Sequence, residues 1–284
     1  MASWTKLGII AGGGELPVMI AEHCRVSGAP YAVSRITPWA DDALDAHPGG
    51  TRGLGMMAGR IADLKAEGCD AVVIVGQVPR PDFATLQLDE GAFAFAQRLR
   101  ASAARGDDPL LRALVEYHAE NGFTVIGAED AMPDLKAGTG AYGARAPNEQ
   151  QLADIKLAAR VATTTGAFDI GQAVVVADNL VLGVEAQEGT DALLRRIAEL
   201  PETVRGAEAK RRGVLLKRPK PMQERRIDLP VIGLRTLEGA SAAGLAGIAI
   251  EAGGALIVGR AALIKAADDA GLFVYGFDPA LGET

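Results

Sequence analysis

The residues best able to do chemistry lie together in the second half of the chain, in Lys217-Arg218-Pro219-Lys220-Pro221-Met222-Gln223-Glu224-Arg225-Arg226-Ile227-Asp228-Leu229-Pro230. Two prolines stiffen the loop that presents Lys217 and Lys220, which suits holding a polyphosphate in one place. Gln223, Glu224 and Asp228 add oxygen donors for a cation bridging those phosphates, with Asp228 and Glu224 as the expected metal ligands. Asp228 also suits the orienting of a water, with Gln223 beside it as a second catalytic candidate. Positive charge on non-bridging oxygens, a metal and a water-orienting carboxylate are the kit of phosphoryl transfer. The wider run 205–226 holds nine basic side chains against two acidic ones. A solvated basic face is the ordinary reading of such a run, but its passage into the proline loop favours an anion site.

Upstream, Glu185-Ala186-Gln187-Glu188-Gly189-Thr190-Asp191 follows a strand pattern and precedes a helix pattern. Thr190 or Asp191 is expected to cap that helix, and the carboxylates beside a glycine turn also fit a divalent cation or sugar hydroxyls. Near the N-terminus, Ala11-Gly12-Gly13-Gly14-Glu15-Leu16-Pro17 joins a strand to a helix. Its bare amides and the helix start form a ready site for an anion, so Gly13, Gly14, Glu15 and Leu16 are expected to meet ligand. No Gly-Lys-Ser/Thr follows, which excludes a P-loop, and Pro17 spoils a full dinucleotide fingerprint. The second strand ends in Arg35-Ile36-Thr37, without the acid that grips a ribose in NAD enzymes. After the third strand come Gly76, which lets the backbone approach a ligand, and Gln77, which can bond a base or sugar. A ligand-free glycine turn and a proline-stiffened loop are the plainer readings of these two segments.

Two cysteines, Cys24 and Cys69, and three histidines, His23, His47 and His118, yield no zinc spacing and no histidine triad. A metal would have to be held by oxygen, which favours Mg²⁺ or Mn²⁺. Two buried-looking thiols suit a reducing, cytoplasmic setting better than a disulfide scaffold.

These groups need a frame. Residues 7–132 alternate short apolar strands (Leu7–Ile10, Tyr31–Ile36, Ala71–Val75, Phe123–Ile126) with helix patterns (Leu16–Ser27, Arg60–Glu67, Leu110–Asn121), which predicts a Rossmann-like parallel sheet flanked by helices. Ligands in such folds sit beyond the carboxyl ends of the strands, where Gly12–Gly14 and Gly76–Gln77 fall. Between these elements, Ala84–Ala104 reads as an amphipathic helix, most simply a core helix and otherwise a surface for acyl chains. Lys136–Pro147 reads as a linker, dividing the chain into domains at 1–135 and 148–284. The second domain opens with a helix over Gln151–Thr165. Strands Ala173–Val176 and Leu180–Val184 follow, joined by a hairpin turn at Asp178-Asn179. Beyond a helix at Leu193–Leu200 and a strand at Val214–Lys217, it is an α/β domain of uncertain topology. Met1–Thr5 have no evident structural role.

The chain has 284 residues, 29 basic and 36 acidic, for a formal charge of −7, and 5% aromatic residues. Two domains of ordinary globular composition follow, and the acidic total with few aromatics argues against a nucleic-acid partner. Apolar runs are of strand length, too short to span a bilayer.

Taken in order, Ile10–Pro17, Gly106-Asp107-Asp108-Pro109-Leu110-Leu111, Asp169-Ile170-Gly171-Gln172-Ala173-Val174-Val175-Val176, Glu188–Asp191, Lys220–Gln223 and Asp228–Pro230 resemble the UDP-2,3-diacylglucosamine pyrophosphatases of the LpxI type. Glu224 stands where that family's pattern has Asp. The resemblance implies Mg²⁺-dependent hydrolysis of UDP-2,3-diacylglucosamine to UMP and 2,3-diacylglucosamine 1-phosphate (lipid X) in lipid A biosynthesis. It further implies two domains with the substrate between them, and work at the cytoplasmic face of the inner membrane. Expected partners are therefore the lipid–nucleotide substrate, a peripheral membrane contact and a second copy of the chain in a homodimer. A nucleotide-sugar oxidoreductase and a non-catalytic lipid–nucleotide carrier are the alternatives left open.

Overall fold

The computed structural model describes residues 4–79, 86–101 and 107–281, which form two compact units, Met1–Pro133 and Asp134–Thr284. In the first, β1 (Leu7–Ala11), β2 (Tyr31–Thr37), β3 (Gly49–Gly53), β4 (Ala71–Val75) and β5 (Thr124–Ile126) make a parallel sheet in the order β3-β2-β1-β4-β5. β1 and β4 are almost wholly buried apolar runs, as strands covered on both faces must be. α1 (Glu15–Ser27) ends at Gly28, whose φ of 73° is the left-handed cap that glycine adopts without strain. α2 (Met57–Ala66), α3 (Glu90–Ala101), α4 (Asp107–Glu120) and the short α5 (Ala128–Ala131) complete the unit.

β3 carried no signal in the sequence. Gly-Gly-Thr-Arg-Gly has neither apolar alternation nor β-branched bulk, and as an exposed edge it needs neither, since β2 supplies its hydrogen bonds. The helix expected at Ala84–Ala104 spans Glu90–Ala101, with 84–85 and 102–104 outside the described residues. One side of it packs on α4, where Phe95 meets the Tyr117 ring at 5.9 Å and Arg98 pairs with Glu116 and Glu120, while Phe93 stays exposed. Thr5 does have a structural role, because its amide and hydroxyl both donate to the Asp70 carboxylate and hold that acid down at about 2.

In the second unit β6 (Gly140–Ala141) lies within the 136–147 segment. With β7 (Ala173–Ala177), β8 (Leu180–Val184), β11 (Val214–Lys217), β13 (Gly247–Glu251) and β15 (Phe273–Phe277) it forms a mixed sheet in the order β6-β15-β13-β11-β7-β8. α6 (Glu149–Gly166) starts at a capping box in which Asn148 and Gln151 each accept the other's amide. The β7–β8 turn places Asp178 and Asn179 at φ 50° and 65°, the two left-handed residues of a tight hairpin. After α7 (Thr190–Ala198) and α8 (Glu202–Arg205), β9 (Gly206–Ala207) and β10 (Lys210–Arg211) form a small hairpin, and β11 (Val214–Lys217) enters the sheet. β12 (Val231–Ile232) precedes α9 (Leu234–Ala242), β13 (Gly247–Glu251), β14 (Leu256–Ile257), α10 (Arg260–Ala270) and β15 (Phe273–Phe277). β11, β13 and β15 run parallel, so Lys217 and Glu251 emerge at the same edge of the sheet. β7 runs against them and starts at that edge, and β8 ends there. Among the described residues no helix is long and apolar enough to cross a membrane.

His118 on α4 is sealed in the first unit with its Nδ1 2.8 Å from the Leu114 carbonyl, and burial lowers its pKa from 6.5 to about 4. Between those two pH values the unfolded chain binds a proton that the folded chain refuses. His118 therefore costs stability progressively as pH falls from about 6.5 to about 4, by at most about 3 kcal/mol. Urea unfolding at pH 4.5 and 7 is expected to show this loss in the first unit, and His118→Gln is expected to shrink it.

Candidate functional site

In the first unit, the two turns expected to meet ligand are joined to each other. Gly13 and Gln77 exchange both backbone hydrogen bonds at 2.8 Å, and the Gly12 amide donates to the Val75 carbonyl at 2.8 Å. The amides of Gly12 and Gly13 are thus consumed within the fold and do not serve as an anion site. The amides left without an intrahelical acceptor are those of Gly14, Glu15 and Leu16 at the start of α1, where no side chain caps the helix. Glycine is required at the contact itself, since a Cβ on Gly12 would lie 2.8 Å from the Gln77 carbonyl oxygen. One on Gly76, at φ 94°, would lie 2.7 Å from the Gly12 carbonyl carbon. Both turns stand at the carboxyl ends of β1 and β4, at the centre of the sheet, where the chain winds away in two directions and ligands of such folds bind. At the end of β2 the Arg35 guanidinium is spent on the carbonyls of Leu44 and His47, so it offers nothing to a ribose.

In the second unit, the edge where β11 ends gathers the groups that carry charge. Lys217 is 7% exposed, and its Nζ donates to the Val231 carbonyl at 3.1 Å. Burial pushes this ammonium below the usual lysine range, while the carboxylates of Glu185, Asp191 and Asp228, in that order of strength, push back. Glu185, just after β8, is itself 8% exposed. Its Oε1 accepts the Thr190 hydroxyl at 2.8 Å and its Oε2 accepts the Gln172 amide at 2.9 Å. Gln172 Nε2 lies 3.4 Å from Asp228 Oδ2, which also accepts from Gln223 Nε2. Gln223 in turn accepts the Lys220 amide at 2.7 Å, so its side chain ties together both ends of the turn 220–228.

Lys217, Gln223, Asp228, Thr190 and Asp191 thus belong to one neighbourhood of this unit, whereas Lys220 and Glu224 are otherwise engaged. Lys220 pairs with Asp169. Glu224 has both oxygens on Arg226, at 2.7 and 2.8 Å, so in this arrangement it is not offered to a metal. Among the described residues no three His, Cys, Asp or Glu side chains gather into a metal cage. Asp191 pairs with Arg235 at 2.6 Å. The N-cap of α7 is Gly189, at φ 78°, rather than Thr190 or Asp191, because the Thr190 hydroxyl is used on Glu185.

The basic run does not act as one anion site. Arg205 and Arg211 serve carbonyls, Arg212 pairs with Asp178, and Arg218 and Arg225 share the buried Glu251. Sequence reasoning counted Glu185 only among the carboxylates beside the Gly189 turn that fit a cation or sugar hydroxyls, and gave Gln172 no role of its own. The signal lay in their places, one at the end of a strand and the other just before its hairpin partner.

A model of the LpxI N-terminal domain matches residues 6–135, and a model of the LpxI C-terminal domain matches residues 138–275. Gly106 of the motifs noted above lies outside the described residues. The UDP-2,3-diacylglucosamine pyrophosphatase LpxI of Caulobacter vibrioides is 49% identical over 274 residues, covering 96% of this chain and 98% of that protein.

The main-chain contact between the two glycine turns predicts an order of damage. Gly76→Ala meets both left-handed strain and the Gly12 backbone and is expected to cost about 3 kcal/mol or more. Gly14→Ala, at φ 94° with open space around it, is expected to cost only the strain, about 1 kcal/mol. Urea denaturation of the two variants checks the order.

Proposed function

The chain belongs to the LpxI family, and from that membership we propose that it hydrolyses the pyrophosphate bond of UDP-2,3-diacylglucosamine. The products are UMP and 2,3-diacylglucosamine 1-phosphate, in the synthesis of lipid A. The observation that carries this reading is the buried Lys217 ammonium among Glu185, Asp191 and Asp228, at the edge where the parallel strands end.

Pyrophosphate cleavage needs a water directed at one phosphorus while the other phosphate leaves with the bridging oxygen and the charge of both is neutralised. Lys217 is already stripped of water, so its charge acts on a phosphate oxygen without reorganising solvent at the moment of reaction. Lys220 would exchange Asp169, whose side chain is 39% exposed, for a second phosphate oxygen. Asp228 orients the water and accepts its proton, with Gln223 fixing the direction of its carboxylate. Mg²⁺, or Mn²⁺ in its place, would be held by Asp228 and by phosphate oxygens of the substrate, Glu224 staying on Arg226. One carboxylate plus substrate phosphates is an ordinary set for Mg²⁺, and the ion supplies charge neutralisation to the phosphates. For the first unit taken by itself we propose that the amides of Gly14, Glu15 and Leu16 and the Gln77 side chain form a nucleotide-binding site. Because this substrate is a lipid, we propose further that the chain works at the inner face of the inner membrane.

Asp228→Ala is expected to slow UMP release by about 10²–10⁴-fold, far beyond what any lowering of the urea midpoint from removing one of the carboxylates around Lys217 accounts for. A rate close to wild type in excess Mg²⁺ would remove Asp228 from the chemistry. Thorough chelation is expected to stop UMP release and added Mg²⁺ to restore it; activity indifferent to chelation would remove the cation.

A further inference from the structure

We propose that Glu185 is the positioning residue of this site, setting the Asp228 carboxylate through Gln172. The inference rests on the hydrolytic reading above and adds two residues to it.

A carboxylate that is almost wholly buried must have its lone pairs satisfied. Glu185 satisfies them with donors from two different segments, the Gln172 amide at the start of β7 and the Thr190 hydroxyl at the start of α7. The Glu185 amide also donates to the Ala173 carbonyl at 2.9 Å, so main chain and side chain grip the same strand end. The chain passes very close here: a Cβ on Gly171, at φ 57°, would sit 2.0 Å from the Glu185 carbonyl oxygen. The Gln172 carbonyl in turn accepts the Arg218 amide at 3.1 Å, which fixes the residue after Lys217. Gln172 is therefore held at its amide by Glu185 and at its carbonyl by the strand that presents Lys217.

With its backbone fixed in this way, the Gln172 side chain projects its amide to Asp228 Oδ2 at 3.4 Å. Gln223 donates to the same oxygen from within the loop. Two amide donors on one carboxylate oxygen, one from the loop and one from the sheet, define the plane of the carboxylate better than either alone. The Gln223 contact moves with the loop, because both partners lie on it. Gln172, held at the start of β7, refers Asp228 to the sheet and so to Lys217.

Misplacing a reacting group by about 1 Å is enough to cost on the order of 10²-fold in rate. Gln172→Ala is thus expected to lower kcat by about 10–100-fold with KM within about twofold of wild type and an unchanged urea midpoint. Gln172 is half-buried, so this variant keeps the fold. Gln172→Glu puts an acceptor against Asp228 in place of a donor and is expected to be slower than Gln172→Ala. Glu185→Gln keeps the shape but loses the charge and one of the two accepted bonds. It is expected to lower kcat at least as far as Gln172→Ala, and Glu185→Gln with Gln172→Ala is expected to be no slower than about twofold below the worse single variant.

UMP release by the wild-type chain from UDP-2,3-diacylglucosamine with Mg²⁺ is measured alongside. A wild type that releases none overturns the hydrolytic reading itself. A hydrolysing wild type with Gln172→Ala within twofold of its kcat overturns the positioning role alone. So does a Gln172→Ala variant whose rate loss tracks a lowered urea midpoint, or a double variant whose losses multiply.

Discussion

A lysine ammonium buried at the end of a β-strand is the constraint on which the second unit turns. Lys217 leaves β11 into a place almost closed to water, and an uncompensated charge there would cost several kcal/mol. The fold answers with three carboxylates from three segments: Glu185 after β8, Asp191 at the start of α7 and Asp228 after the proline loop. Each must arrive at the same edge, which only the observed strand order arranges. β7 runs antiparallel to β11 and starts where Lys217 ends, and β8 returns from a two-residue hairpin to finish beside it.

The same constraint separates Lys217 from the arginines around it in sequence. Arg218 and Arg225 converge on Glu251, which burial raises above the ordinary carboxylate range and which the two guanidinium groups pull back. Arg226 closes on Glu224, and Arg212 on Asp178. The Arg218 and Arg225 pairs lock the turn 218–228 to the sheet, and the two-pronged Arg226–Glu224 pair locks it to itself. Lys217 has a backbone carbonyl as its near partner and carboxylates only at longer range, so its charge is stabilised without being consumed in a close ion pair. On the hydrolytic reading proposed above, a phosphate entering this site would meet a cation that is desolvated and held ready.

The pattern of what was legible follows from the range of the interactions. Ala71–Val75 and Val214–Lys217 fall where the apolar runs place them, because a strand buried on both faces is specified by its own residues. The Asp178-Asn179 hairpin is likewise local, read from two residues that tolerate positive φ. β3 and β6 are edge strands whose reason to extend lies wholly in the neighbour, β2 in one case and β15 in the other. Nothing in Gly49–Gly53 or Gly140–Ala141 announces that neighbour.

The candidate site divides in the same way. Asp228 and Gln223 stand five residues apart, and their contact within one turn is the kind that spacing implies. Glu185 lies 32 residues before Lys217 in the chain, and its importance comes from a strand order that one sequence does not display. The run of basic residues misled for the same reason. Charge counted along the chain leaves out Asp169, Asp178 and Glu251, which arrive from α6's end, the hairpin and β13 to neutralise it. An electrostatic reading from sequence is sound for the sum over a domain, where every partner is counted. It fails for a segment whenever the fold brings the counter-charges from outside that segment. What sets Lys217 apart from the arginines of the run is burial without a close carboxylate, a property that belongs to the sheet edge and not to the run of residues.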